Sequence, residues 1–151
     1  MKKAEAKMSD IYSVKRIHQG RMPQGSDLLN WLTSYLGKNG INAATISIIG
    51  AASAVKLGAY DFKEGRYKTF DIEDEVEILS CVGNVSLLEG NPFAHLHMIV
   101  GEGDGRTRGG HVFEGCRVIV AEYQICEFAG DPAERTLDPA TGLKLWKAEQ
   151  N

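Results

Sequence analysis

The stretch that decides the fold is HLHMIVGEGDGRTRGGH, residues 95–111, which contains three of the four histidines of the chain. Its middle holds Asp104-Gly105, a dipeptide that is a strong signal for a β-hairpin turn. Before the turn, apolar residues alternate with the two histidines, as in a strand with one buried face. The stretch therefore predicts two antiparallel strands that are joined at Asp104-Gly105.

The predicted hairpin brings three histidines together. His95 and His97 are two residues apart, so their side chains share one face of a strand. His97 and His111 are equally far from position 104, which sets them opposite each other with Cβ atoms about 5 Å apart. Three imidazoles from neighbouring strands suit a divalent metal ion, first of all zinc, with coordination positions left open. The alternative is that the histidines are half-exposed strand residues whose hydrogen bonds are satisfied.

Two glutamates are candidates for completing such a site. Glu77 lies in the segment VEILSCV (76–82), and Glu122 lies in the segment VIVAEYQI (118–125). A charged side chain within an apolar strand is costly unless it is paired or bound to a ligand. The alternative for each glutamate is a place on the solvent-facing side of a half-buried strand.

The rest of the chain predicts one helix and a series of short strands. Apolar residues recur at helical spacing from Leu28 to Leu36, after a cap at Ser26 or Asp27 and before the Gly- and Asn-containing segment 37–40. Segments rich in β-branched and apolar residues predict strands at 11–17, 44–50, 53–61, 75–83, 84–90, 94–101, 111–115 and 116–125. Many short strands and one helix indicate an α+β domain with a largely antiparallel sheet.

The chain of 151 residues suits a single domain. We expect a flexible N-terminus over residues 1–10, a domain over residues 11–128, and a C-terminal tail over residues 129–151 that packs on the domain. The apolar residues expected to dock this tail are Leu143, Leu145 and Trp146.

Charge and cysteine content narrow the classes of function. The formal net charge is −3, from 17 Lys and Arg against 20 Asp and Glu, and this balance disfavours DNA binding through phosphate contacts. The three cysteines are an odd number without a Cys-x-x-Cys pair, so we expect a reducing, cytoplasmic location. The N-terminal MKKAEAKMSD is unlike a secretory signal, and no apolar run approaches the ~20 residues of a membrane span. We therefore expect no membrane partner.

The segments VEILSCVGNVSLLEG and GGHVFEGCRVIVAEYQI, with HLH between them, resemble the plant and prokaryote conserved (PPC) domain. The upstream motifs MPQGSDL, ISIIGAA and LGAYD fit as well, so the resemblance covers residues 11–128. It implies a compact α+β fold that assembles as a homotrimer, together with the family's description as predicted DNA-binding proteins. In the plant relatives, DNA contact comes from a separate AT-hook around Arg-Gly-Arg-Pro, a motif that this sequence lacks.

The PPC fold is also similar to acetolactate decarboxylase, an enzyme that gathers histidines around zinc. This likeness implies that His95, His97 and His111 are metal ligands, and that Glu77 is a catalytic carboxylate acting as ligand or proton carrier. We therefore expect a homotrimeric PPC-domain protein that binds a divalent metal ion, with zinc preferred, and a small-molecule ligand or protein partner. The alternatives are a DNA-associated regulatory protein and a metal-dependent lyase of the decarboxylase type.

Overall fold

The computed structural model describes residues 11–147, which form nine strands and one helix. The elements in chain order are β1 (Ser13–Met22), α1 (Leu28–Asn39), β2 (Ala44–Asp61), β3 (Arg66–Ile72), β4 (Val76–Leu88), β5 (Asn91–Gly101), β6 (Thr107–Val112), β7 (Arg117–Ala129), β8 (Glu134–Leu137) and β9 (Lys144–Trp146). The predicted fold class, an α+β domain with a largely antiparallel sheet and one main helix, is confirmed. The flexible start predicted at residues 1–10 lies outside the described residues.

The strands form one sheet in the order β1-β7-β2-β6-β5-β4-β8-β9, with β3 paired to β2. All pairings are antiparallel except that of β4 with β8. The long strand β2 pairs with β4 and β7 along its first half and with β3 and β6 along its second half. Because β6 pairs with β5 and β5 pairs with β4, these strands return to β2 and close a ring. The histidine-bearing strands β5 and β6 are therefore held from both sides.

The helix begins and ends where the sequence predicts. Asp27 is the N-cap, and its side chain accepts a hydrogen bond from the backbone N–H of Asn30 at 3.0 Å. Asp27 also accepts from the N–H of Gly115 at 2.6 Å, which ties the helix start to the turn between β6 and β7. The helix buries Leu28, Leu32 and Leu36 in the core. None of the helices in the described part of the chain is long and apolar enough to cross a membrane.

Two expected breaks between strands do not exist. The segments 44–50 and 53–61 belong to the single strand β2, and the segments 75–83 and 84–90 together contain the single strand β4. Gly83 does not end its strand; a Cβ atom at this position would lie 1.9 Å from the backbone oxygen of His95. Glycine in a strand often marks such a close approach of two backbones. Gly83 thus allows β4 to pack tightly against the histidine-bearing strand.

The C-terminal tail contains short strands that the sequence analysis did not predict. β8 pairs in parallel with the end of β4, and β9 pairs with β8. Leu145 and Trp146, two of the residues expected to dock the tail, remain 40% and 53% exposed. Arg135 on β8 is instead the buried side chain, with 7% of its surface exposed. The hydroxyl of Tyr60 adds a hydrogen bond of 2.8 Å to the carbonyl oxygen of Thr141.

Candidate metal centre

The hairpin that carries the histidines has the register predicted from the sequence. The turn between β5 and β6 is closed by backbone hydrogen bonds from Glu102 N–H to Arg106 and from Gly105 N–H to Glu102, at 2.8 and 2.9 Å. Gly105 adopts φ +85°, a conformation that glycine reaches without steric cost. His97 and His111 are direct Cα partners across the two strands. The local turn signal was therefore sufficient to place them opposite each other.

The three imidazole rings meet at one point. The Nε2 atoms of His95 and His97 are 3.3 Å apart, and the three ring centroids are separated by 5.1 to 5.5 Å. One nitrogen of each ring lies within 4.8 Å of those of the other two. Nitrogen ligands about 2.1 Å from a tetrahedral zinc ion are about 3.4 Å apart. Small ring rotations thus bring the three nitrogens to coordination distance of one ion, and this cluster can hold a metal.

His111 is the most constrained of the three ligand candidates. Its ring contacts those of Tyr67 and Phe113, each at a centroid distance of 4.9 Å. Its Nδ1 atom is buried and has no hydrogen-bond partner within the described part of the chain. A buried polar atom without a partner costs about 1–3 kcal/mol. The unpaired nitrogen fits a site whose missing partner is a metal ion or another ligand.

The site keeps two of its imidazoles neutral. Burial, helped by the charge of Arg135 and by His97, lowers the pKa of His95 to about 4. Burial and the two neighbouring histidines lower the pKa of His111 to about 4 as well. A metal ion binds imidazole through an unprotonated nitrogen, so protonation competes with binding. At neutral pH both rings are already in the form that a metal requires.

Arg135 borders the cluster, and sequence reasoning missed it. Its Nη2 atom lies 3.4 Å from Nδ1 of His95, on the opposite side of the ring from the nitrogen that faces His97. The guanidinium also donates to Ser86 Oγ and Asn84 Oδ1, both at 2.8 Å. The one local signal was the polar Ser86 within the apolar run VSLL, and this serine is fully buried.

The structure does not bring the candidate glutamates to the histidines. Glu77 pairs with Gly101 at the far end of β5, four residues beyond His97, which is about 13 Å along a strand. Glu122 is exposed on β7, a strand that does not pair with β5 or β6. Glu77 as ligand or proton carrier therefore stays a prediction from the resemblance, and its place on β4 disfavours that role.

A cavity of about 350 Å³ opens beside the cluster. His95, His111 and Arg135 form one side of it, and aromatic side chains form another. Residues 142–145 of the tail also line it. The cavity thus gives a small molecule access to two of the three imidazoles.

Known proteins share this fold and parts of this sequence. A profile of the Plants and Prokaryotes Conserved (PCC) domain, the family called PPC above, matches residues 9–129. A crystal structure of a metal-containing protein from Archaeoglobus fulgidus is 36% identical, with a TM-score of 0.87 over 91% of this chain and 96% of that one. A plant- and prokaryote-conserved protein from Pyrococcus horikoshii is 33% identical, with a TM-score of 0.89 over 95% of this chain and 99% of that one.

A curated relative, the bifunctional protein GlmU of Synechococcus sp. (strain JA-3-3Ab), is 30% identical over 129 residues. That match takes in 84% of this chain and 20% of the relative, so the chain spans about a fifth of that protein's length. None of these comparisons connects the chain with acetolactate decarboxylase, and that likeness stays a hypothesis. The matched profile and the two structures that align over nearly their whole length confirm the family predicted from the sequence: the chain is a member of the PPC domain family.

Proposed function

We propose that this protein binds a divalent metal ion, with zinc preferred, through His95, His97 and His111, and that the bound ion takes part in holding a small molecule. The observation that carries the proposal is the convergence of three imidazoles, one of which has a buried nitrogen without a hydrogen-bond partner. The related Archaeoglobus protein is itself described as metal-containing.

The donor set supports a reactive site rather than a structural one. Structural zinc sites are closed by four protein ligands, whereas catalytic or ligand-binding sites have three and leave a position open. Here the described residues offer three histidines and a cavity next to them. A metal ion in such a place polarises a carbonyl group or activates a bound water. A lyase activity would use the same chemistry and is the enzymatic alternative.

We also propose that the protein assembles as a homotrimer. Several large apolar side chains on the outer face of neighbouring strands are half exposed, among them Ile49 at 54%, Val82 at 51% and Ile99 at 51%. Exposed apolar patches on a sheet favour burial against another copy. Light scattering after size exclusion should give three times the chain mass of 16.5 kDa. A mass of 16.5 kDa would contradict the trimer.

The DNA-binding alternative has less support in the surface charges. At the hairpin turn, Arg106 pairs with Asp104 at 2.6 Å, and Arg108 lies 3.7 Å from Glu102. Lys15 and Arg16 on β1 are both paired with Glu127. Basic side chains that already have carboxylate partners gain less from phosphate contacts. Salt-sensitive binding to duplex DNA near 100 mM salt would overturn this preference, because phosphate contacts make affinity fall steeply with salt.

The metal site is tested by metal content. Protein purified without a histidine tag should contain one metal ion per chain, identified by inductively coupled plasma mass spectrometry. The variant His97→Ala should lose the ion while keeping the fold, since His97 is exposed. The matched control is His18→Gln, because His18 lies against Tyr35 and Glu127, away from the cluster. Stoichiometric metal in His97→Ala would overturn the ligand assignment.

A further inference from the structure

Arg135 is a buried cation without a carboxylate partner among the described residues 11–147. Only 7% of its surface is exposed, and within the described residues its guanidinium makes no ion pair with a carboxylate. Its hydrogen-bond partners are neutral: Ser86 Oγ, Asn84 Oδ1 and the carbonyl oxygen of Lys144. Burying a charge without a counterion is expensive, so such charges usually pair with one another or with a ligand.

The guanidinium is held rigidly and keeps one donor free. Arginine has five N–H groups. Nε donates to Ser86, Nη2 donates to Asn84, and Nη1 donates once, to Lys144. Within residues 11–147, the other N–H of Nη1 has no partner. Nη2 also lies 3.4 Å from Nδ1 of His95, which accepts its second N–H only while Nε2 of that ring carries the proton. When Nε2 binds a metal ion, the proton is on Nδ1 and this second N–H of Nη2 is free as well. The rings of Phe93 and Trp146 lie 5.4 and 5.6 Å from the central carbon and stabilise the cation in place.

The cavity next to Arg135 has the composition of a site for an organic anion. Its lining includes three basic residues, Arg66, Lys144 and Arg135, and no acidic one. Tyr67 and Phe93 contribute aromatic walls, and the tail adds leucines. Arg66 is paired with the exposed Glu64 at 2.6 Å, whereas the buried Arg135 has no carboxylate partner in the part of the chain that the structure describes. The aromatic and apolar walls favour a ligand with a carbon body over inorganic phosphate.

The metal site increases the need for an anion. A divalent ion held by three neutral imidazoles, together with the guanidinium, places three positive charges beside a cavity that has no acidic lining. Arg135 touches one nitrogen of His95, while the other nitrogen of that ring faces the cluster. The centre of the histidine cluster and the guanidinium of Arg135 thus lie on opposite sides of the His95 ring. One molecule that carries a carboxylate can reach both.

We propose that this cavity binds a small organic carboxylate, whose anion is held by Arg135 and whose oxygen atoms complete the coordination of the metal ion. The inference rests on the proposed metal site and names the chemical class of its ligand. Arginine suits this role because its guanidinium stays charged and a charge-assisted hydrogen bond from its N–H to a carboxylate oxygen is about twice as strong as a neutral one.

The test uses the metal-loaded protein in its full length. The Co²⁺ form is titrated with benzoate and with pyruvate, and binding is followed by calorimetry and by the visible spectrum of the metal. Benzamide, the neutral counterpart of benzoate, and inorganic phosphate are the comparison ligands. We expect a carboxylate to bind and to change the Co²⁺ spectrum, and benzamide to bind at least tenfold more weakly. Equal binding of benzoate and benzamide, binding of phosphate alone, or no binding of either carboxylate would overturn the inference without any variant.

The variant Arg135→Met removes the charge and keeps most of the side-chain volume. It should weaken carboxylate binding at least tenfold while retaining one metal ion per chain. The matched control is Arg108→Met, because Arg108 also lies over an aromatic ring, that of Phe70 at 4.8 Å, but has Glu102 nearby. Metal retention with unchanged carboxylate affinity in Arg135→Met would overturn this inference alone. Absence of metal from the wild-type protein would overturn the proposed function, and this inference with it.

Discussion

The buried charges of Glu127 and Arg135 differ in their partners. Glu127 on β7 is 2% exposed and has three basic neighbours, Lys15 at 2.9 Å, Arg16 at 2.7 Å and His18 at 3.4 Å. Arg135 on β8 is 7% exposed and has neutral partners. Among the described residues, Glu127 therefore has counterions and Arg135 has none, and Arg135 is the one of the two that lies beside the histidine cluster and its cavity.

The pKa directions express the same difference. The hydrogen bond from Arg16, which outweighs the opposing effect of burial, lowers the pKa of the Glu127 carboxyl to about 2, so its charged form is stabilised. Burial lowers the pKa of Arg135, so its charged form is disfavoured. A buried charge that has ion-pair partners stabilises the fold. A buried charge that has only neutral partners favours binding of a ligand of opposite charge, because the ligand supplies the missing ion pair. We therefore interpret the Glu127 cluster as structural and the Arg135 cavity as functional.

The largest expected effect comes from reversing the compensated charge. Glu127→Lys places a third cation beside Lys15 and Arg16 in a buried position. Breaking a buried ion pair costs about 3–5 kcal/mol, and we expect the free energy of unfolding in urea to fall by that amount. The matched control is Glu114→Lys in the exposed turn before β7, which should change it by less than about 0.5 kcal/mol. Equal losses in the two variants would remove the distinction between the two regions.

Zinc should stabilise the native protein through the histidine cluster and independently of Glu127. Zinc at about one hundred times its dissociation constant adds about 2.7 kcal/mol to the free energy of unfolding of a protein that binds it in the native state. Glu127→Gln should keep this gain in full, because Glu127 is far from the cluster. His111→Ala should lose it. A gain that persists in His111→Ala would mean that zinc binds elsewhere.

The hairpin and the Arg135 cavity also differ in how far the sequence predicts them. His97 faces His111 because the turn signal Asp104-Gly105 lies midway between them. Such a signal consists of a few consecutive residues and can be recognised from the sequence. Arg135 meets Ser86 across 49 residues, through a parallel pairing of β8 with β4. No local pattern specifies that contact, because it depends on how the tail returns to the sheet. Sequence reasoning thus found the three clustered histidines and missed the cation beside them.

Gly83 is an instructive error of the same kind. A glycine followed by an asparagine is a common turn signal, so the sequence predicts a break in the strand. The physical requirement at Gly83 is instead the close approach of the His95 backbone. This requirement belongs to the neighbouring strand and cannot be deduced from the residues around Gly83. The same holds for Glu77, whose distance from the histidines is set by the register of β4 against β5.

Glu127 and the two buried histidines should lose their contributions to the free energy of unfolding in different pH ranges. The native pKa of Glu127 lies below that of the unfolded chain, so its contribution is complete above about pH 4.5 and is lost as the pH falls towards about 2. The native pKa values of His95 and His111 lie below the ordinary 6.5, so the unfolded chain takes up protons first. Their contribution is complete above about pH 6.5 and is lost as the pH falls towards about 4.

The measurement is the free energy of unfolding of the metal-free protein between pH 7 and pH 3. His111→Gln should flatten the upper part of the curve, and Glu127→Gln should flatten the lower part. If one substitution flattened both parts, the two regions would be coupled and the comparison between them would fail.

The smallest expected effect is at the exposed ion pairs of the hairpin turn. The side chain of Arg106 is 75% exposed, and its partner Asp104 is 52% exposed. An exposed pair contributes about 0–1 kcal/mol because water solvates both charges equally well when they separate. Arg106→Ala should therefore lower the free energy of unfolding in urea by less than about 0.5 kcal/mol and leave the metal content unchanged. A larger loss would mean that charge compensation matters at the surface as well, and that burial is not what distinguishes Glu127 and Arg135 from the other charges of this protein.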